Sequence, residues 1–221
     1  MAAKVDVPEA AQNSALLQAL GAEFSMLQGA RGATISESSS RSSLYMTTLS
    51  GAVVALALVA QASRFGVSFF IFALAIMPVV FFLGVTTYYR LLQTGVEDVI
   101  YARAVSKIRD FFSAIEPSQA AFFQASAVDQ VGLRNLGLWR LRWQQFLSAA
   151  ATVAIVNSVV GGVFLALTVA YFAAPPALVS IGAGAAGALV LAIAFLLHQW
   201  RTWMTVAAAL PMADPAPQMR N

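Results

Sequence analysis

Few side chains in this sequence are suited to catalysis. The chain of 221 residues contains one histidine, His198, and no cysteine. Disulfides and thiolate chemistry are therefore excluded, and a metal cluster or a Ser/His/Asp triad would depend on a single imidazole. As a base acting on lipid at a membrane surface, His198 has no carboxylate or nucleophile at a diagnostic spacing. The sequence predicts no catalytic residue, no cofactor, no metal site and no enzymatic activity.

Two other residues stand out because they interrupt long apolar stretches. Asn157, with Thr152 and Ser158 nearby, lies close to the middle of one stretch. It predicts either a hydrogen bond between helices that fixes their register, or an amide on a polar pore or ligand site. Pro78 lies within another stretch, where it removes a backbone donor and predicts a kink. Such a kink is either static or the hinge of a gate.

The composition is that of a membrane protein. Hydrophobic residues make up 59% of the chain and charged residues 10%, whereas soluble domains contain about 25% charged residues. The formal net charge is +3, and the basic residues are scattered beside apolar stretches instead of forming one patch. Topology explains them better than nucleic-acid binding does. The predicted partner is therefore the lipid bilayer, and no nucleic acid is expected.

Four apolar stretches are long enough to cross a bilayer. They run over about residues 44–62, 67–89, 146–172 and 177–199, and about 20 helical residues span the 30 Å hydrocarbon core. A short segment at 63–66 joins the first two, and Pro175-Pro176 separates the last two. The predicted fold class is an all-α membrane protein with two transmembrane helical hairpins and cytoplasmic helical extensions.

These stretches divide the chain into five predicted regions. Residues 1–43 form a cytoplasmic amphipathic helix and a serine-rich junction, and residues 91–145 form a cytoplasmic helical segment. The two transmembrane hairpins occupy residues 44–90 and 146–200. Residues 201–221 are a C-terminal tail whose end is predicted to be disordered. Within the central segment, Pro117 is expected to separate one helix from a second that starts near Gln119.

The distribution of positive charge predicts the orientation. An even number of spans places both termini and the central segment on one side of the membrane. That side carries every lysine and arginine except Arg64. The positive-inside rule makes this side cytoplasmic. The predicted location is therefore the cell inner (plasma) membrane, with several spans and with the N- and C-termini in the cytoplasm.

Small residues recur every four positions in the last two spans. Four-residue spacing places them on one face of a helix, where small side chains allow backbones to approach closely. The predicted helix-packing residues are Ala150, Ala154, Ser158, Gly162, Ala166 and Ala170 in the third span, and Ser180, Gly184, Ala188 and Ala192 in the fourth. Their partner is either the neighbouring helix or another subunit.

One segment resembles known proteins. The run from Leu83 to Arg90, LGVTTYYR, is followed by Val96-Glu97-Asp98, Tyr101, Lys107-Ile108-Arg109 and Glu116-Pro117. It resembles small uncharacterised bacterial integral membrane proteins with four spans. The layout of a cytoplasmic helix, a tight membrane hairpin and another cytoplasmic helix is also similar to the two-span membrane effectors of bacterial nucleotide-signalling defence systems. The chain departs from those effectors by its second hairpin and by lacking a visible nucleotide-sensing domain, and neither resemblance supplies a functional residue.

Two functions are compatible with these features. No Asp, Glu, Lys or Arg lies within the four predicted spans, which argues against an ion-coupled transporter. The leading hypothesis is a non-enzymatic inner-membrane protein that assembles through its helices, as a homo-oligomer or as a subunit of a larger membrane complex. The alternative is an oligomeric pore or channel, or a membrane-perturbing effector, gated from the cytoplasmic helices.

Overall fold

Four long helices make up the regular structure of the described residues. The computed structural model describes residues 9–115 and 148–209. Its helices are α1 (Glu9–Ser63), α2 (Val67–Ile115), α3 (Ala149–Ala173) and α4 (Ala177–Ala209). Each of the four contains a stretch long and apolar enough to cross a membrane. For the described part of the chain, the prediction of an all-helical fold with four such helices is therefore confirmed.

The helical form follows from the apolar composition of the four segments. Hydrocarbon offers no hydrogen-bond partner to the backbone, so a spanning segment must satisfy its own N–H and C=O groups, and a helix does this within one segment. The shortest of the four, α3, has 25 residues, which at about 1.5 Å per residue exceeds the roughly 30 Å core of a bilayer. The chain thus has the construction of a multi-pass membrane protein.

The helices are longer than the apolar stretches that reveal them. α1 runs without interruption through Gly21, Gly29 and Gly32, and α4 continues to Ala209, well past residue 199. Each glycine costs a helix about 1 kcal/mol relative to alanine, and the good helix formers on either side outweigh that cost. α3 begins at Ala149, slightly later than predicted. The predicted helix from Gln119 and the end of the tail lie outside the described residues.

Backbone hydrogen bonds end α1 at a tight turn. Arg64 and Phe65 have φ angles of 50° and 58°, in the left-handed region. The Phe65 amide donates to the Ala60 carbonyl at 3.1 Å, and the Gly66 amide donates to the Ser63 carbonyl at 2.9 Å. These bonds satisfy carbonyls at the end of the helix that would otherwise lack partners. The chain then enters α2 at Val67.

The turn between α3 and α4 is equally short. Ala174, which follows the last residue of α3, adopts a left-handed conformation with φ 42°. Pro175 and Pro176 come next and cannot continue a helix, because proline lacks the N–H donor and its ring crowds the preceding turn. α4 begins immediately afterwards at Ala177.

The chain forms two compact units. Among the described residues, unit 1 comprises 9–37 and 97–115, and unit 2 comprises 38–96 and 148–209. In unit 1, Val105 and Ile108 of α2 are buried. The Arg31 Nε of α1 donates to the Asp98 Oδ1 of α2 at 2.9 Å. Both side chains of this ion pair are about one-third exposed, so solvent screening limits its contribution to stability to about 1 kcal/mol or less.

The core of unit 2 contains two large polar aromatic residues among small and branched ones. Tyr45 and Tyr88 are fully buried, in one cluster with Val80, Val153 and Ala154. Large apolar side chains lie on the outside instead, among them Leu178, Ile181 and Val190 of α4. This exposure of large apolar residues is the arrangement expected when the surrounding solvent is lipid.

Candidate functional site

A buried amide joins three helices of unit 2. The Tyr45 hydroxyl of α1 donates to the Asn157 Oδ1 of α3 at 3.2 Å, and both side chains are 0% exposed. Gly84 of α2 faces the same pair: a Cβ atom there would collide with the Asn157 Oδ1 and would lie 2.9 Å from the Tyr45 ring. The absence of a side chain at Gly84 therefore makes the space that the amide occupies.

This Tyr45–Asn157–Gly84 contact fixes the position of the three helices along one another. A hydrogen bond between membrane helices contributes about 1 kcal/mol, and a sliding helix would leave both polar groups without partners in an apolar interior. The Asn157 Nδ2 has no acceptor among the described residues. The contact is the kind of interhelical bond that the sequence predicts. The interpretation of Asn157 as part of a pore stays a prediction.

A second polar contact joins α2 to α4. The Tyr88 hydroxyl donates to the Phe195 carbonyl at 2.8 Å and lies 3.2 Å from the Nδ1 of His198. The Tyr88 ring packs edge-on against Phe195 with centroids 4.7 Å apart, and the Tyr89 ring packs edge-on against His198 at 5.2 Å. His198 itself is exposed. The only histidine of the sequence is thus held by an aromatic pair on the neighbouring helix.

The first turn of α3 is fixed by a third polar contact. Ser148 is the N-cap of α3, and its Oγ accepts a hydrogen bond from the Ala151 amide at 3.2 Å. The same oxygen accepts from the Gln199 Nε2 of α4 at 3.1 Å. Gln199 is buried. One hydroxyl therefore both caps α3 and ties it to α4.

The backbones of α3 and α4 touch through small residues. A Cβ atom at Gly162 would lie 2.5 Å from the Gly184 carbonyl oxygen and 2.6 Å from the Ala188 Cβ. A Cβ at Gly184 would lie 2.7 Å from the Ala166 Cβ and from the Gly162 carbonyl oxygen. Distances this short leave no room for any side chain at either glycine. These four members of the two small-residue series meet one another across the α3–α4 contact.

Four of the other predicted packing residues occupy the interior of unit 2, whereas Ala170 and Ala192 are only partly buried. Ala150, Ala154, Ser158 and Ser180 are all buried. The Ser158 hydroxyl donates to the Ala154 carbonyl at 2.7 Å, within its own helix. Ala150 and Ala154 belong to the aromatic core cluster around Tyr45 and Tyr88. The small residues of α3 thus extend from that cluster to the contact with α4.

One side of the α3–α4 contact is open. A groove of about 320 Å³ runs along it and is lined entirely by apolar residues. Below, the term "α3–α4 groove" refers to this surface. Its lining residues are Val159, Gly162, Val163, Ala166, Leu167, Ile181, Gly184, Ala185 and Ala188.

Pro78 lies inside α2 without ending it. The helix continues on both sides of the proline, and the neighbouring Met77 and Val80 are buried. Because proline has no N–H, the bond that would reach the carbonyl of Leu74 is missing at this position. Whether this site serves as a static kink or as a hinge stays a prediction.

Several of the contacting residues were not singled out by the sequence as packing residues. Tyr45 and Tyr88 look like markers of the membrane boundary, because tyrosines favour that position. Gly84 and Tyr88 are four residues apart and share a face of α2, which is a weak signal for a common contact. Ser148 stands directly before an apolar helical run, and this is the ordinary signature of an N-cap. The pairing of Gln199 with Ser148 has no local signal.

The class of the protein rests on its helices. Within residues 9–115 and 148–209, no three His, Asp or Glu side chains come together as a metal site would require. Comparison with protein-family models, with curated proteins and with solved structures finds no match to this chain. The four apolar helices define it as a multi-pass membrane protein built as a helical bundle.

Gly84 and Gly95 of α2 provide a matched test of the buried amide contact. A Cβ at Gly95 would lie 3.6 Å from the Trp203 ring, an ordinary contact, whereas a Cβ at Gly84 would collide with Asn157. Both alanine variants gain the same helix propensity. We expect Gly84→Ala to lower the free energy of unfolding by about 1–3 kcal/mol and Gly95→Ala to leave it unchanged or raised. Unfolding by SDS in mixed micelles, followed by circular dichroism, measures both; equal effects would contradict the contact.

Gly184 and Gly182 of α4 test the α3–α4 contact in the same way. A Cβ at Gly182 meets nothing within 4 Å, whereas one at Gly184 is too close to Ala166 and Gly162. Gly184→Ala should lower the free energy of unfolding by roughly 1–3 kcal/mol because the two backbones must separate. Gly182→Ala should not lower it. The same micelle titration measures the difference, and a stable Gly184→Ala protein would show that the helices do not meet there.

Proposed function

We propose that this chain is a non-enzymatic inner-membrane protein that assembles through its membrane helices, as a homo-oligomer or as a subunit of a larger membrane complex. In this proposal the helices form two transmembrane hairpins, 44–90 and 146–200. Both termini and the helical segment at 91–145 are cytoplasmic.

The short turns and the charge distribution support this topology. The turn from α1 to α2 and the turn from α3 to α4 each take only three residues, so little of the chain lies on that side of the membrane. Arg64 is the one basic residue there, while all other lysines and arginines of the sequence fall on the opposite side. The unit boundaries after residues 37 and 96 lie close to the proposed limits between cytoplasmic and membrane segments.

Single cysteines test the topology cleanly, because the chain has none of its own. Phe65 in the first turn and Ser106 on α2 are both exposed. A membrane-impermeant maleimide added to intact spheroplasts should label Phe65→Cys and should label Ser106→Cys only after the membrane is permeabilised. Labelling of Ser106→Cys in intact spheroplasts would contradict the proposed orientation.

The α3–α4 groove is the observation that carries the proposal of assembly. Its floor is the contact of Gly162 with Gly184, so a rigid object placed in it approaches the backbones of two helices. In a bilayer there is no hydrophobic drive to cover such a surface, and association depends on dense packing. A rigid helix packs a fixed groove more densely than mobile lipid tails do, because its side chains stay in place.

The occupant that we propose is a helix of a second copy of the chain. α1 supplies a suitable surface, because much of its apolar stretch is exposed, including Val54 and Leu58. A Cβ added at Gly51 of α1 would meet nothing within 4 Å. Contact between α1 of one copy and the α3–α4 groove of the next uses two different surfaces, so each copy can bind a further copy; the assembly is a ring where the rotation between copies closes and an open chain where it does not.

Ala185 and Ala186 are adjacent exposed residues of α4. Comparing the same substitution at both positions distinguishes an effect on the α3–α4 groove from a general effect of a bulky surface residue. Ala185 lines the groove and Ala186 does not. A tryptophan at Ala185 fills space that the second copy needs, so we expect Ala185→Trp to weaken self-association at least about tenfold, equivalent to about 1.4 kcal/mol. Ala186→Trp should change it less than about twofold. Native mass spectrometry across a concentration series in mild detergent measures both variants.

Wild-type protein decides between the two branches of the proposal in the same experiment. A series of self-assembled species supports the homo-oligomer. The other branch, a subunit of a larger complex, is supported if the wild-type protein is found as a single copy bound to a different polypeptide and if Ala185→Trp abolishes that binding. A strictly monomeric protein with no copurified partner, or equal effects of the two tryptophan variants, overturns assembly through this groove.

A further inference from the structure

The position of one hydrogen atom near His198 follows from the distances around Tyr88. The Tyr88 hydroxyl lies 2.8 Å from the Phe195 carbonyl oxygen and 3.2 Å from the His198 Nδ1. Two oxygen atoms at 2.8 Å repel each other unless a hydrogen lies between them, and a carbonyl has none to give. The single hydrogen of the hydroxyl is therefore committed to the Phe195 carbonyl.

The tautomer of His198 follows from that commitment. With its hydrogen used, the Tyr88 oxygen presents only a lone pair to the Nδ1, so the Nδ1 must carry a hydrogen to form the 3.2 Å bond. A neutral imidazole carries one ring hydrogen. The Nε2 of neutral His198 therefore has an unshared lone pair.

This lone pair faces the surroundings of the protein. Tyr88 is fully buried, whereas His198 is exposed, so the edge of the ring that binds Tyr88 points inward and the Nε2 edge points outward. The half-exposed Tyr89 packs edge-on against the ring. Arg201, three residues further along α4, is exposed as well. Tyrosine and arginine together are typical of the level of the lipid headgroups.

We propose that Tyr88 holds His198 as the Nδ1–H tautomer and that its Nε2 accepts a hydrogen bond from the ammonium group of an aminophospholipid whose phosphate binds Arg201. A lone pair at this level selects a donor, and a primary ammonium offers three N–H donors. A choline headgroup offers none. His198 and Arg201 lie three residues apart on one helix, with Cβ atoms about 5–6 Å apart, so one headgroup reaches both. The site requires insertion in a bilayer but not the assembly proposed above.

Nitrogen-15 NMR tests the tautomer directly, because labelled histidine reports on a single residue. In nanodiscs under alkaline conditions, the Nδ1 of His198 should appear protonated and the Nε2 unprotonated. Tyr88→Phe removes the acceptor and should shift the tautomer ratio toward Nε2–H by roughly five- to tenfold, the size of one hydrogen bond. Tyr89→Phe keeps the ring contact and should leave the ratio unchanged. A predominantly Nε2–H wild type overturns the assignment even if Tyr88→Phe fails to fold.

Lipid composition tests the ligand. We compare wild-type protein in nanodiscs of phosphatidylethanolamine and of phosphatidylcholine with identical acyl chains. The Nε2 signal of His198 should show a hydrogen bond from the lipid in phosphatidylethanolamine and no such bond in phosphatidylcholine. Arg201→Gln should raise the proportion of phosphatidylethanolamine needed for half of the change in this signal at least about threefold. Identical Nε2 signals in the two lipids, or an unchanged response in Arg201→Gln, overturn the headgroup site.

Discussion

Three polar contacts between helices fix the packing of unit 2, because a buried polar side chain in an apolar interior needs a hydrogen-bond partner. Tyr45 reaches Asn157, Tyr88 reaches the Phe195 carbonyl and His198, and Gln199 reaches the Ser148 cap. Between them these bonds connect α1 to α3, α2 to α4, and α4 to α3. Each bond alone contributes about 1 kcal/mol. Together these bonds fix the register of the helices, because sliding any one helix along its neighbours would leave buried polar groups without partners.

Small residues at particular positions set how closely the helices approach one another. Gly84 makes room for an amide, while Gly162 and Gly184 bring two backbones together. At Gly182, only two residues from Gly184, an added Cβ would meet nothing within 4 Å. The same residue type thus leaves no room for a side chain at one position of α4 and open space at another. Close approach gives many weak dispersion contacts, and these replace the hydrophobic effect as the source of helix association in lipid.

The outer surface of unit 2 offers two chemically different regions. The α3–α4 groove is apolar and shaped by glycines and alanines, which suits a rigid apolar helix. The region around His198 presents an exposed imidazole, an arginine and aromatic edges, which we propose suit the ammonium and phosphate groups of an aminophospholipid. The first region underlies the proposal of assembly and the second underlies the proposal of a lipid site.

The amino-acid order alone was enough to reveal four apolar helices, because the length needed to cross hydrocarbon and the demand for internal backbone bonds are properties of each segment by itself. It also placed Gly162, Ala166, Gly184 and Ala188 on packing faces, since a four-residue spacing defines a face of a helix. It did not show that Asn157 would bind Tyr45 in the space left by Gly84, nor that Gln199 would reach Ser148. Those pairs lie far apart in the chain, so only the rotation and height of each packed helix could bring them together.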